Sequence, residues 1–279
     1  MTTLWFNIFE KIIRVNCKEA ELAALLQGIY GEMGLPLGYT NKSPPDLDYD
    51  IYYSKQADAR ICVHRQGQDP EYAVGKGHFI YLFEKDMTIE LERIRHDLFF
   101  LHAAALEYQG HIHLLVAESG GGKSTTSCAL LQHGFGYVSD ELAPVQLESM
   151  TVLRYPHALC LKAKPPRPYI LPEETLYTER TLHVPGSALP SVVASMPLPL
   201  KSIFFVKYNP QSTSPSVKTV SAAQAGARVY ANGLNQLAHP NDGLDAAIQI
   251  AQHCHCFDLE SANLEPTCQL VIDVLDSIE

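Results

Sequence analysis

The residues best suited to chemistry form one glycine-rich loop near the middle of the chain. The segment Ala117-Glu-Ser-Gly-Gly-Gly-Lys123-Ser124 matches the G-x-x-x-x-G-K-[ST] pattern of phosphate-binding loops, with alanine at the first glycine position. Consecutive glycines let backbone N–H groups turn toward an anion, because no Cβ atoms obstruct the turn. A lysine at this position supplies an ammonium group for the β- and γ-phosphates, and a serine hydroxyl can bind Mg²⁺. The pattern therefore predicts a site for a nucleoside triphosphate.

The flanking sequence places this loop in the context that the pattern requires. The apolar run 112–117 predicts a strand before the loop, and 123–133 predicts a helix after it, with Gly134 as the C-terminal stop. The N-terminus of that helix adds partial positive charge to the site. The alternative is a glycine-rich turn that binds nothing, and the strand–loop–helix order argues against it. The residues predicted to bind ATP are Ser119, Gly120, Gly121, Gly122, Lys123, Ser124 and Thr125.

Acidic residues and a histidine near the loop are the next candidates. Asp140 and Glu141 end the predicted strand FGYVSDE, at the carboxyl edge where sites form in such sheets. A carboxylate there can hold Mg²⁺ or accept a proton from an attacking hydroxyl, although two solvated turn residues are the alternative. His102 lies within the apolar run LFFLHAAAL, and on its own such a histidine is typical of a core residue.

Taken together, the segment 100–145 resembles the catalytic core of the HPr serine kinase/phosphorylase family. His102 lies 21 residues before Lys123 and Asp140 lies 17 residues after it, as in that family. The resemblance implies an α/β fold with a phosphate-loop core of the HPr kinase and phosphoenolpyruvate carboxykinase type. It also implies that Asp140 is the catalytic acid/base and that His102 and Lys123 act beside it. Glu141 matches the acid of the metal site, where it would bind Mg²⁺ together with Ser124.

Two differences between this chain and the family's sequence pattern favour a kinase without phosphorylase activity. The family usually has aspartate where this chain has Glu141, and the downstream glycine-rich segment associated with phosphorylase activity has no counterpart here. The chain therefore resembles kinase-only relatives, which include serine kinases that modify peptides. We expect an ATP- and Mg²⁺-dependent kinase whose partner is a peptide or protein bearing serine. Two alternatives stay open, namely a nucleotide-dependent binding or regulatory protein without transfer activity, and a kinase for free serine.

Two weaker signals lie downstream. The proline-rich segment 162–190, together with the residues before it, carries basic side chains, of which Arg154 and Lys162 are the preferred candidates for stabilising a transferring phosphoryl group. An ordinary solvated surface is an equal alternative.

The segment QHCHCFD is predicted to form a buried strand. Its C-x-C spacing does not suit zinc, and alternating side chains in a strand would place the cysteines and the histidines on opposite faces.

The elements around these residues suggest two domains. Residues 1–86 are predicted to form a small N-terminal α+β lobe, and residues 87–279 the phosphate-loop kinase domain. Within the lobe, 5–15 is predicted as one strand and HFIYLFE (78–84) as another. A helix is predicted from 87 to 105, with Asp86 or Thr88 as its N-cap.

Composition excludes several classes of protein. A formal net charge of −10 argues against binding to nucleic acid or to a membrane surface. No apolar run reaches the roughly 18 residues of a membrane span, and charged residues interrupt the N-terminal run, so no signal peptide is expected. Seven scattered cysteines favour free thiols in a reducing cytoplasm. Whether the chain forms a homo-oligomer is open.

Overall fold

The computed structural model describes residues 1–36, 38–41, 43–55, 60–194 and 197–278. These residues form two compact units. The first contains Met1–Ile94, Pro156–Lys164 and Leu171–Ala188, and the second contains Arg95–Tyr155, Pro165–Ile170 and Leu189–Glu279. The α/β class predicted from the sequence is confirmed, because several sheets alternate with helices. None of the helices in the described ranges is long and apolar enough to cross a membrane.

The helices and strands are numbered in chain order. The helices are α1 (Ala20–Tyr30), α2 (Lys76–Ile94), α3 (Lys123–Leu131), α4 (Ala222–Ala231), α5 (Leu244–His253) and α6 (Leu264–Ser277). The strands are β1 (Thr2–Ile8), β2 (Lys11–Cys17), β3 (Leu47–Tyr53), β4 (Ile61–Arg65), β5 (Glu71–Ala73), β6 (Leu98–Leu101), β7 (Ala104–Tyr108), β8 (His111–Val116), β9 (Gly136–Ser139), β10 (Ala143–Gln146), β11 (Thr151–Val152), β12 (Leu159–Leu161), β13 (Leu176–Tyr177), β14 (Leu182–Val184), β15 (Leu198–Tyr208), β16 (Ser216–Thr219) and β17 (His255–Ser261).

The first unit is built on a five-stranded sheet in the order β1-β2-β3-β4-β5, in which only β2 and β3 are parallel. The predicted single strand over 5–15 is in fact the hairpin of β1 and β2, which turns at Phe9 and Glu10. A separate three-stranded antiparallel sheet, β12-β14-β13, belongs to the same unit. The proline-rich segment 162–190 therefore contains regular strands.

The predicted strand over 78–84 is wrong, because these residues lie in α2. The buried positions Phe79, Phe83, Met87 and Leu91 recur every four residues, a spacing that keeps side chains on one face of a helix. The run HFIYLFE covers only about two helical turns, which is too short to show this spacing. Helix α2 also runs through residue 86, so the predicted boundary between 86 and 87 differs from the end of the first unit at Ile94.

The helix predicted from 87 to 105 ends earlier and begins earlier than expected. Asp86 and Thr88 are interior residues of α2 rather than N-caps, and the Thr88 hydroxyl donates to the carbonyl of Glu84 at 2.8 Å. After Ile94 the apolar run forms strand β6, in which all four residues are buried, followed by β7. A short, continuous apolar run of this kind suits a buried strand as well as a helix.

The second unit is built on a nine-stranded sheet. One side of it has the order β9-β7-β8-β15-β17-β16. Strands β8, β15 and β17 are parallel, and β7 is antiparallel to both β8 and β9. Strands β8, β9, β15 and β17 therefore all end at the same edge of the sheet.

Helices cover the sheet of the second unit. Helices α4 and α5 contribute Ala225, Val229, Ala247 and Ile250 to a buried cluster with side chains of β8 and β15. Helix α3 contacts β7, β8 and α6. Helix α4 begins with a capping box, in which the Ser221 side chain accepts from the backbone N–H of Gln224.

Candidate active site

Strand directions bring the predicted site residues to one edge of the second sheet. The glycine loop, defined as Ala117–Ser124, follows β8, and Asp140 and Glu141 follow β9. Strand β7 runs the opposite way and starts at this edge, where Ala104 pairs with Leu115, so that His102 lies there too. The edge where parallel strands end is the usual place for ligand sites in α/β sheets.

The glycine loop needs its glycines for steric reasons. Gly120 and Gly122 have φ values of +85° and +96°, which side chains with a Cβ rarely adopt. A Cβ on Gly121 would lie 3.0 Å from both the Ala117 Cβ and the Glu118 carbonyl oxygen. The Gly121 N–H closes the turn by donating to that carbonyl at 2.8 Å. The loop thus curls tightly into the N-terminus of α3, for which Gly122 is the N-cap.

Alanine at the first position of the loop is compatible with this geometry. Among the described residues, six residues other than glycine have positive φ, and Ala117 is not one of them. Its side chain is buried beneath the turn. The departure from the usual glycine therefore costs no backbone strain.

Lys123 connects the loop to the acids that follow β9. Its ammonium donates to the main-chain carbonyl of Asp140. It also lies 3.3 Å from Glu141 Oε2 and 3.8 Å from Asp140 Oδ1. Lys123 and Asp140 are buried, and burial of these opposite charges is tolerable because they lie together.

His102, which lies two residues before β7, completes the cluster. Its Nε2 lies 2.8 Å from Glu141 Oε2, and because a carboxylate only accepts, Nε2 is the donor. The side chains of His102 and Glu141 are each 38% exposed, whereas that of Asp140 is fully buried. The cluster therefore has an accessible part, His102 and Glu141, and an enclosed part, Lys123 and Asp140.

Other predicted residues lie beside or outside this cluster. Ser124 and Thr125 are half-buried in the first turn of α3, and Ser119 is exposed on the loop. Arg154 donates to the carbonyl of Ala194 at 3.3 Å. Lys162 is exposed and belongs to the first unit.

The predicted buried strand in QHCHCFD is confirmed as β17, although α5 reaches His253. His253 lies 3.1 Å from the carbonyl of Leu200, and His255 is exposed. Burial raises the pKa of the Cys256 thiol to about 11, which keeps it protonated at neutral pH. All seven cysteines are free thiols.

A cavity of about 810 Å³ opens beside the glycine loop, and most of the residues that line it were not predicted from the sequence. Loop residues Ala117–Gly121 form one wall. The ends of β15 and β17, strand β16 and helix α4 form the others, and they include Phe205, Lys218, Arg228 and Asp258. The acids at the end of β17 follow the same carboxyl-edge rule as Asp140, but Arg228 lies in the last turn of α4 with no binding motif around it.

Comparison with solved structures finds 30 matching chains, among them a kinase/phosphatase. The chain is similar to the HPr(Ser) kinase/phosphatase from Coxiella burnetii, with 16% sequence identity and a TM-score of 0.31. The match covers 64% of this chain and 93% of that one. No protein-family model matches the chain, and no curated protein matches it. A likeness at this TM-score supports no statement about function.

Proposed function

We propose that the chain is an ATP-dependent kinase that transfers a phosphoryl group to a hydroxyl, with serine of a peptide or protein as the acceptor. One observation carries this proposal. The loop lysine, Lys123, lies within 4 Å of both acids that follow β9, and His102 holds the second of them. Three segments distant in sequence thus place a cation, two carboxylates and an imidazole around one point.

The glycine loop supplies the phosphate site. Backbone N–H groups at the start of α3 and the partial positive charge of that helix attract an anion. Lys123 would bind the β- and γ-phosphates after exchanging its contact with Glu141 for phosphate oxygens. The triphosphate would then lie across the loop with its γ end toward Asp140 and Glu141.

The donor set beside the loop fits Mg²⁺. Ser124 offers a hydroxyl and Glu141 a carboxylate, and Mg²⁺ prefers such hard oxygen ligands. Two carboxylates near one lysine leave excess negative charge, which a triphosphate would increase. When bound, Mg²⁺ neutralises charge on the β- and γ-phosphates during transfer. His102 would orient Glu141 through its hydrogen bond.

Asp140 is the proposed base. The acceptor hydroxyl oxygen forms a bond to the γ-phosphorus as the bond to the β-γ bridging oxygen breaks, and ADP leaves. The hydroxyl proton passes to the Asp140 carboxylate. Lys123 remains beside the developing charge and stabilises it.

The rival proposal is a nucleotide-dependent binding or regulatory protein without transfer activity. Such a protein needs the glycine loop, but it needs neither a base nor an imidazole-held carboxylate beside the γ-phosphate. The convergence of Asp140, Glu141 and His102 on Lys123 therefore favours transfer. A kinase for free serine uses the same chemistry and differs only in its acceptor.

The test is transfer from γ-labelled ATP to serine-containing peptides encoded beside the gene and to free serine, with products identified by mass. We expect a gain of one phosphoryl group on a peptide serine that requires Mg²⁺. Lys123→Ala should abolish the transfer and weaken ATP binding, because it removes the cation of the phosphate site. The matched control is Lys85→Ala, which removes a lysine paired with Glu71 in the first unit. Full activity in a folded Lys123→Ala variant would refute the proposal.

A further inference from the structure

One wall of the cavity beside the glycine loop is formed by paired residues of neighbouring strands. Val116, Phe205 and Asp258 are paired across β8, β15 and β17, so their side chains point to the same face of the sheet. Helix α4 covers that face, and Arg228 of this helix and its C-cap residue Asn232 line the cavity. The cavity thus lies at the carboxyl edge, between the loop and α4.

Arg228 is held in a defined position within this cavity. Its guanidinium carbon lies 4.4 Å from the centre of the Phe205 ring, over the ring. Its Nη1 also bonds to the carboxylate of Asp258. The Arg228 side chain is nevertheless 44% exposed. A planar cation is therefore fixed on one face by an aromatic ring and on one edge by an acid, with surface left to contact a ligand.

The cavity lies on the opposite side of β8 from the catalytic carboxylates. In the strand order β9-β7-β8-β15-β17, Asp140 and Glu141 come from the β9 side, whereas Phe205 and Asp258 come from the β15 and β17 side. A triphosphate on the loop has two ends. Because the γ end must reach Asp140, the nucleoside end is left for the other side, where the cavity begins.

The size and chemistry of the cavity suit a nucleoside. Its volume of about 810 Å³ falls within the range of small-molecule sites, roughly 300–1,000 Å³. Guanidinium groups stack on flat π-systems, and a nucleobase is such a system. An arginine already packed on Phe205 and paired with Asp258 loses little further freedom when it stacks on a base.

We infer that this cavity binds the nucleoside of ATP and that the base stacks on the guanidinium of Arg228. The inference rests on the proposed function, since it takes the triphosphate to lie on the glycine loop. Phe205 and Asp258 are positioning residues, because they hold Arg228. Stacking depends on the flat ring of the base and not on the groups at its edge, so other purine nucleotides should also bind.

The experiment compares MgATP with magnesium tripolyphosphate, which lacks a nucleoside, by calorimetry on the full chain. We expect Arg228→Ala to weaken MgATP binding about 10-fold, as for loss of a partly desolvated cation–π contact, and to leave tripolyphosphate binding unchanged. Arg228→Lys keeps the charge but lacks the planar face, so it should lose most of the same affinity. Arg93→Ala is the matched control, because Arg93 is also an exposed arginine paired with an acid.

Each other outcome overturns the inference. If Arg228→Ala binds MgATP as well as the wild type does, no base stacks on Arg228. The same conclusion follows if Arg228→Ala loses equal affinity for MgATP and tripolyphosphate and Arg228→Lys recovers both affinities. A higher KM for the acceptor with unchanged ATP affinity assigns the cavity to the acceptor instead. If the wild-type chain binds neither ligand, or if Lys123→Ala binds both normally, the proposed function fails as well. Thermal unfolding of each variant shows whether the fold is retained.

Discussion

Asp140 combines full burial with a proposed role that requires contact with the acceptor. Its side chain is 0% exposed, whereas Glu141 and His102 are each 38% exposed. A base must come within hydrogen-bonding reach of the hydroxyl, and such contacts often tighten only when the substrates are bound. Lys123 bonds to the main-chain carbonyl of Asp140, so movement of the Asp140 side chain need not break that contact.

Asp140→Asn should therefore keep the fold and ATP binding but lose phosphoryl transfer by roughly 100-fold or more, as expected when a general base is removed. The substitution preserves size, and the main-chain carbonyl still accepts from Lys123. Single-turnover transfer and ATP titration measure the two effects separately.

The matched variant is Glu141→Gln, which alters the accessible carboxylate of the same cluster. It should weaken the binding of Mg²⁺ and therefore raise the metal concentration needed for half-maximal rate. If Asp140→Asn transfers nearly as well as the wild type, Asp140 is structural, and His102 is the next candidate for the base.

At the level of residues, the sequence predicted that His102, Lys123 and Asp140 lie together, but it did not predict the cavity. The spacing of His102, Lys123 and Asp140 carries a family pattern, and all three meet at one edge of the sheet. Arg228 and Phe205 contact each other only because α4 folds over β15. No local pattern encodes a contact between residues that distant in sequence.

Two elements differ from their predicted form because the physical signals in their sequences are weak. The turn between β1 and β2 places Phe9 and Glu10 at φ values of +51° and +62°. Hairpin turns of this kind usually contain glycine or asparagine, so the sequence concealed the turn. The aromatic residues in HFIYLFE favour a strand, but α2 forms because a helix buries one apolar face of this segment. Strands β8 and β9 and helix α3 were predicted because clear breaks bound them.

Strand β8 carries a buried histidine that makes stability depend on pH. His113 Nε2 donates to the carbonyl of Tyr108 at 3.3 Å, and Nδ1 accepts from the Ser202 hydroxyl at 2.8 Å. Burial lowers the pKa of His113 to about 4, although the Tyr108 contact acts in the opposite direction. In the unfolded chain the group has an ordinary pKa near 6.5. Between these two values the unfolded state binds the proton and the folded state does not.

The free energy of unfolding should therefore fall as pH drops from about 6.5 to about 4, and His113 should account for about 2 kcal/mol of that loss by pH 5. His113→Gln keeps hydrogen-bonding groups but cannot take up the proton. Urea unfolding at pH 7 and pH 5 should show a smaller loss in this variant than in the wild type. Equal losses in the two proteins would contradict the assignment of the effect to His113. Burial also lowers the pKa of His183 to about 4, so part of the dependence should remain.

At the scale of the whole molecule, the first unit is not a continuous piece of chain. Its sheet and two helices come from residues 1–94, but 156–164 and 171–188 belong to it too. The Ala158 N–H donates to the carbonyl of Ile29 at 2.8 Å. Glu179 accepts from the N–H groups at the start of α2, including that of Gly77 at 2.8 Å. The sequence predicted a single boundary between residues 86 and 87. Hydrophobic patterns do not reveal that the later segments 156–164 and 171–188 pack into the first unit, so the prediction could not include them.

A fragment that ends at Ile94 should consequently fail to fold cooperatively, even though it contains all of β1–β5. The returning segments contribute the buried residues Ala158, Leu159, Leu161 and Val184 to the first unit, and the fragment lacks their apolar surface. It also leaves the first N–H groups of α2 without the Glu179 carboxylate. Urea unfolding of the fragment should show no sharp transition, and it should bind a hydrophobic dye that the full chain does not. Adding residues 156–188 through a flexible linker should restore a cooperative transition, because that segment carries both missing pieces. A sharp transition in the unextended fragment would show that residues 1–94 hold a sufficient core on their own.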